Sequence, residues 1–315
     1  MLIIRLDAIG DALALTPLLV ALHRRAIAVD LVLQPSNADV FAPRAVGQIV
    51  ASDFQLRSST RANLAAIEKL GRSLRVNEYS HVLVATEDPG GYRLARAVGA
   101  PVRIGFADPF GKPFKSLWAR LLLTRTIYRS AGLDRRAPHE CEVLFALAQS
   151  LVGDEQPTRD LLELRPLVLE TEPAPDERVA VQITEKWQRL GIAFEEVVDL
   201  IRRLAGNAEL RLLCAENEAA YAERTAQSTG IAVEYFSEIA AWKAAIGAAP
   251  AIVAPDSGAL HVAGMIGTPI VAIFPSSRSY ALQVARWAPW AAPHRIVRAD
   301  RGWPARAGDA LAQLL

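Results

Sequence analysis

Cysteine is scarce. Of 315 residues only Cys141 and Cys214 carry thiols, in segments that read as a helix and a strand far apart in sequence. Two such thiols give no disulfide framework, and a reducing compartment is the expectation. An excess of either charge sign is also missing: 35 lysines and arginines stand against 34 aspartates and glutamates, a formal net charge of +1. No overall field recruits nucleic acid, and no aromatic-plus-basic nucleic-acid module stands out. Long apolar runs are absent as well. The most apolar stretch, 259–275, is broken by His261, two glycines, Thr268 and Pro269, which predicts a buried helix and strand instead of a membrane span. No basic segment precedes the first apolar run, so the start does not read as a secretory signal and a cytoplasmic protein is expected. Neither G-x-G-x-x-G nor a Gly-Lys-Ser/Thr P-loop occurs, and no His/Cys/Asp cluster has metal-ligand spacing. The dinucleotide fingerprint and the P-loop are thereby excluded, and no metal is expected.

What is present suffices for two cores. Hydrophobic residues make up 51% and charged residues 22%, an ordinary globular balance on a chain longer than one core usually serves. Residues 1–17 read as strand, turn and helix: an apolar run too short for a helix, then Asp7-Ala8-Ile9-Gly10-Asp11, then Leu13, Leu15, Leu18, Leu19 and Leu22 at helical spacing. Further strands are predicted at 27–33, 48–51, 80–85 and 102–106, with a helix over 62–74. This alternation makes the first half a parallel, doubly wound α/β domain.

Residues 108–138 differ. Lys112, Lys115, Arg120, Arg125, Arg129, Arg135 and Arg136 interleave there with Phe110, Phe114, Leu117, Trp118, Leu121, Leu122 and Tyr128. The segment reads either as the solvated face of an ordinary helix or as a patch that meets an anionic lipid surface or a phosphorylated glycan. A helix follows over 139–152, then a proline- and acid-rich linker over 153–177. The alternation then resumes, with strands at 178–183, 209–214, 251–254 and 270–274 and helices at 193–205, 216–228 and 258–266.

Two stretches carry chemistry. In open α/β sheets ligands sit outside the carboxyl ends of strands, and the turn with Asp7 and Asp11 lies at that place. Taken alone, Gly10 is a turn glycine and Asp11 a helix cap. The second stretch is Asp256-Ser257-Gly258-Ala259-Leu260-His261, between a strand and a helix. It too reads as a capped helix start, and equally as an anion site, because free N–H groups and the helix dipole converge there.

Together, Arg5-Leu6-Asp7-Ala8-Ile9-Gly10-Asp11 and Asp256-Ser257-Gly258-Ala259-Leu260-His261 resemble glycosyltransferase family 9, the ADP-heptose:lipopolysaccharide heptosyltransferases. The resemblance implies a GT-B fold, two doubly wound Rossmann-like domains facing a central cleft. They are expected over 1–155, which binds the acceptor, and 156–315, which binds the nucleotide sugar, with the C-terminal tail crossing back to the first. It also implies an inverting, metal-independent sugar transfer from a nucleotide-sugar donor, with no cofactor, to a glycolipid or oligosaccharide acceptor at the inner face of the membrane.

By the same resemblance Asp11 is the catalytic base and Lys186 neutralises the departing diphosphate. Thr184, Glu218, Asp256, Ser257, Gly258 and His261 bind the donor. Asp7, the second candidate for the base and otherwise a structural or acceptor-binding residue, and Gly10 stand on the acceptor side, joined by Lys112, Lys115 and Arg120 of the basic segment. Two departures from the family pattern stand out. Around Lys186 the expected arginine and proline are missing and Val181-Gln182-Ile183 replaces small residues, and Cys214-Ala215 replaces paired glycines before Glu218. They leave open a non-catalytic nucleotide-sugar or glycan binder, or an epimerase or hydrolase on the same fold.

Overall fold

The computed structural model describes residues 1–129 and 138–315, so Arg135 and Arg136 of the basic segment lie outside the described residues. The chain divides into two compact units, Met1–Thr158 and Arg159–Leu315.

The first unit begins with β1 (Leu2–Arg5), α1 (Ile9–Leu13), α2 (Thr16–Arg24), β2 (Asp30–Leu33) and β3 (Ile49–Ala51). It continues with α3 (Arg61–Arg75), β4 (His81–Val84), α4 (Pro89–Val98), β5 (Val102–Ala107), α5 (Pro113–Leu122) and β6 (Arg125–Tyr128), and ends with α6 (Glu140–Leu147) and α7 (Gln149–Val152). Its six strands lie in the order β3-β2-β1-β4-β5-β6, every neighbouring pair parallel. The central strands read Leu-Ile-Ile-Arg and His-Val-Leu-Val, almost wholly buried, because helices cover both faces of a parallel sheet. Helix starts are set by local chemistry. Asp88 accepts the Gly90 N–H at 2.7 Å with Pro89 opening α4, and Gly99, at φ 77°, ends it in a left-handed conformation that suits glycine.

The second unit opens with α8 (Leu161–Val168), β7 (Val179–Ile183), α9 (Lys186–Arg189), α10 (Phe194–Ala205), β8 (Leu210–Ala215) and α11 (Ala219–Thr229). Then come β9 (Val233–Phe236), α12 (Ile239–Ala248), β10 (Ile252–Pro255), α13 (Gly258–Ile266), β11 (Ile270–Pro275), α14 (Tyr280–Trp287), β12 (His294–Ala299) and α15 (Trp303–Ala312). Its sheet runs β12-β11-β10-β7-β8-β9, again all parallel. In both sheets strand order therefore reverses direction once, between β1 and β4 in the first and between β7 and β10 in the second.

Several expectations need correction. The stretch expected as a linker carries α8, which is capped by Asp160 and packs on α13 within the second unit. Residues near the C-terminus build β12 and α15 of the second unit, where Trp303 stacks on Trp187 at 5.8 Å. The helix expected over 139–152 is broken into α6 and α7, and the basic segment contains a sixth strand, β6. Among the described residues no helix is long and apolar enough to cross a membrane. Cys141 and Cys214 are both buried.

Candidate functional site

In a doubly wound sheet the crevice outside the strand ends opens where strand order reverses. Both stretches singled out in the sequence fall at such a point in their own unit. In the first, Arg5 is the last residue of β1 and is buried there, which places a guanidinium inside the protein. Such a charge needs partners. Its Nη1 donates to the Ala85 carbonyl just past β4, its Nε to the Asp11 carbonyl at 3.0 Å, and its Nη2 to Asp11 Oδ1 at 2.7 Å and Glu140 Oε1 at 3.1 Å. Burial works against the Arg5 charge, and Glu140, Asp11 and Asp7 together hold its pKa above the ordinary value.

Asp11 is the third residue of α1, so it caps the helix from within the first turn and not from the N-cap position, which Ala8 holds. The Ala8 N–H donates to its Oδ2 at 3.2 Å. Its side chain keeps about a quarter of its surface in solvent. Burial, then the negative charges of Asp7 and Glu140, push its pKa up against the pull of Arg5. Asp11 is therefore a stronger base than an ordinary carboxylate. Asp7 Oδ2 is buried without a hydrogen bond among the described residues, with Arg5 Nε 3.6 Å away. Gly10 is helical and buried inside α1, and is not a turn glycine.

The network continues outward. Glu140, fully buried at the first turn of α6, also accepts from Arg129 Nη2 at 2.9 Å, and Arg129 lies 3.6 Å from Glu87. Lys112 reaches Glu87 Oε2 at 2.6 Å, and Lys115 donates to the Glu87 carbonyl at 2.7 Å. Burial opposes the Glu87 charge, but the hydrogen bond from Lys112 and the charges of Lys115 and Arg129 outweigh it and hold the carboxyl down at about 2. Both lysines thus pair with a carboxylate that is about one-third exposed, Lys112 being exposed itself, and Arg120 is exposed on α5. Arg5, Glu87, Arg129 and Glu140 were not assigned from sequence. A buried arginine closing an apolar strand was the one available signal; Glu140 reaches Arg5 across 135 positions.

In the second unit Thr184 follows β7, and its hydroxyl donates to Glu218 Oε1 at 3.1 Å and accepts the Lys186 N–H at 3.2 Å. Thr184, Lys186 and Glu218 are thereby brought together at the ends of β7 and β8. Trp187 is buried and donates to the Gln182 carbonyl at 2.9 Å, which fixes the turn bearing Lys186. Past β10, Asp256 and Ser257 precede α13. Burial raises the Asp256 pKa and Lys186 opposes it, so the β7 and β10 loops share one electrostatic neighbourhood.

Ser257 occupies the cap position of α13, yet its hydroxyl makes no cap bond. Ser257 is only 9% exposed, and its Oγ has no hydrogen-bond partner among the described residues. That is costly unless something else supplies the bond. Gly258 is the first residue of the helix. His261 sits one turn in, its Nε2 3.9 Å from Asp256 Oδ1 and its ring edge-on to Trp287 at 5.5 Å. Among the described residues no group of three or more His, Cys, Asp or Glu stands where it could hold a metal ion.

A family model for glycosyltransferase family 9 (heptosyltransferase) matches residues 191–309, so the resemblance read from the motifs holds over most of the second unit. No curated protein matches the chain by sequence. Among solved structures the chain is similar to a family 9 glycosyl transferase from Veillonella parvula DSM 2008, at 14% identity and TM-score 0.73 over 99% of this chain and 96% of that one. It is also similar to E. coli heptosyltransferase WaaC with ADP, at 17% identity and TM-score 0.72 over 99% and 97%. E. coli ADP-heptose lps heptosyltransferase II matches at 16% identity and TM-score 0.71, again over 99% and 97%. At these identities the likeness establishes the fold, which is GT-B.

Proposed function

With that resemblance as premise, we propose that the chain is an inverting glycosyltransferase that moves heptose from ADP-heptose onto a lipopolysaccharide or related glycan acceptor at the cytoplasmic face of the membrane. The observation that carries the reading is the buried Ser257 hydroxyl, unpartnered at the N-terminus of α13 where the second sheet reverses order. A diphosphate supplies the acceptor this hydroxyl lacks, and the helix dipole favours its charge. Lys186 stabilises the same group as negative charge builds on departure. Glu218 and Thr184 take the ribose side of the donor, and Asp256, Gly258 and His261 complete the pocket.

On the acceptor side an attacking hydroxyl oxygen forms its bond to the anomeric carbon as the bond to the diphosphate breaks, and its proton passes to Asp11. The raised pKa of Asp11 favours that transfer. Once Asp11 is protonated, Arg5 still holds Glu140 and the Ala85 carbonyl, so no buried cation is stranded. Asp7 and Gly10 frame the acceptor, with Lys112, Lys115 and Arg120 further out. Lys186 and the α13 N-terminus make the transfer metal-independent, so chelation with EDTA leaves turnover unchanged.

The test is incubation with ADP-heptose and a lipopolysaccharide-core acceptor, followed by mass and anomeric analysis. The expected product has an inverted anomeric centre, and Asp11→Ala lowers kcat by about 10² to 10⁴-fold. Undiminished turnover by Asp11→Ala removes the base assignment. Free sugar or nucleotide released without acceptor replaces transfer by hydrolysis or epimerisation.

A further inference from the structure

Helix α5 turns an apolar stripe outward. Phe114, Leu117 and Leu121 recur at three- and four-residue spacing, which aligns them on one face, and Phe110 extends the row just before the helix. They are 89%, 64%, 73% and 86% exposed. The opposite side holds the helix in place: Ser116 and Ala119 are buried, and the Trp118 ring meets Tyr92 at 5.9 Å. The stripe therefore does no packing of its own. The Phe110 ring stands edge-on to the exposed Tyr128 of β6 at 6.1 Å. Half of the exposed large apolar side chains among the described residues fall within 110–128. Concentration of that kind marks an interaction surface.

Charge identifies the partner. Residues 89–129 contain Arg93, Arg96, Arg103, Lys112, Lys115, Arg120, Arg125 and Arg129 against one acid, Asp108, on a chain whose net charge is only +1. Asp108 is buried, with its carboxylate accepting the Gly111 N–H at 2.8 Å. Lys112, Lys115 and Arg129 pair with Glu87, whereas Arg120 and Arg125 are exposed, and Arg120 stands three residues from Leu117, beside it on the helix surface. A second copy of the chain would bring these cations face to face. An anionic bilayer would instead receive the stripe at its headgroup boundary and the arginines at its phosphates.

We propose that the outward face of α5, with Phe110 and Tyr128, docks the first unit onto an anionic lipid surface. The docking deepens the transferase reading and rests on it for the identity of a lipid-borne acceptor. Lys112 and Lys115 tie α5 through Glu87 and Arg129 to Glu140, the residue beside Arg5, so the docked helix and the acidic turn belong to one connected framework.

The test is co-sedimentation of the full chain with vesicles of mixed phosphatidylglycerol and phosphatidylcholine, against phosphatidylcholine alone. The wild type is expected to bind the anionic vesicles about tenfold or more tightly, and Leu117→Glu with Leu121→Glu, or Arg120→Glu with Arg125→Glu, to lose about tenfold. The leucine variant keeps the wild-type melting temperature and its transfer to a delipidated acceptor. Wild-type protein that ignores anionic vesicles, or variants that bind them equally well, overturn the docking. So does light scattering in which the leucine variant abolishes a dimer and leaves lipid binding untouched. Lipid binding without sugar transfer removes the transferase reading alone; transfer without lipid binding removes the docking alone.

Discussion

At the reversal point of the first sheet Arg5 is buried among Asp7, Asp11 and Glu140, and Glu140 leads on to Arg129 and Glu87, so nearly every charge there already has its counterpart. At the matching point of the second sheet a serine hydroxyl is buried with no partner among the described residues, and one lysine acts on one partly buried aspartate. The strand orders are the same in form. Topology thus fixes where a crevice opens, and side chains decide its use. A balanced network tunes a carboxylate that it already holds, whereas an unpartnered hydroxyl at a helix start calls for an anion.

The largest expected effect that sharpens this contrast is on Glu140. Glu140→Gln removes a buried charge shared by two arginines and is expected to cost about 3 kcal/mol of stability, read by denaturant unfolding. Glu140 also raises the Asp11 pKa, so the acid limb of the kcat/KM profile moves to lower pH in the variant. A limb that stays in place would break the link between network and base. A smaller effect concerns Glu87, whose carboxyl falls from 4.5 to about 2 on folding. A depressed carboxyl contributes stability above its unfolded value, and that contribution is lost as pH falls from 4.5 towards 2. With the side chain one-third exposed, the contribution is about 1 kcal/mol after solvent screening. Glu87→Gln should therefore lower the melting temperature slightly at neutral pH and flatten its fall between pH 4.5 and 2.

Apolar runs made the central strands legible, because a parallel strand covered on both faces shows as an unbroken buried stretch. Edge elements were harder. β9 reads Val-Glu-Tyr-Phe and is only half-buried, β6 reads Arg-Thr-Ile-Tyr inside the basic segment, and β12 mixes His and Arg with apolar residues. α8 hid in a proline-rich stretch because Pro166 lies within it. Of the two acidic-turn aspartates, Asp11 reads as a cap or as a base, and the start of α1 at Ile9 does not separate the readings, because its carboxylate accepts the Ala8 N–H and still keeps part of its surface in solvent. Glu140 could not be read at all, since its pairing with Arg5 is tertiary. Lys112 and Lys115 sit in a basic, aromatic setting that reads as a surface patch, but their pairing with Glu87, 25 and 28 positions away, is tertiary and could not be read.

The central claim is that the two reversal points do separate work, one receiving the nucleotide and the other accepting a proton. Titration of ADP calorimetrically into wild type, Ser257→Ala and Asp11→Asn tests it most directly. Ser257→Ala is expected to weaken ADP about tenfold or more, for a lost bond to a charged group, while Asp11→Asn binds as the wild type does. ADP affinity untouched by Ser257→Ala, or lost with Asp11→Asn, would contradict it.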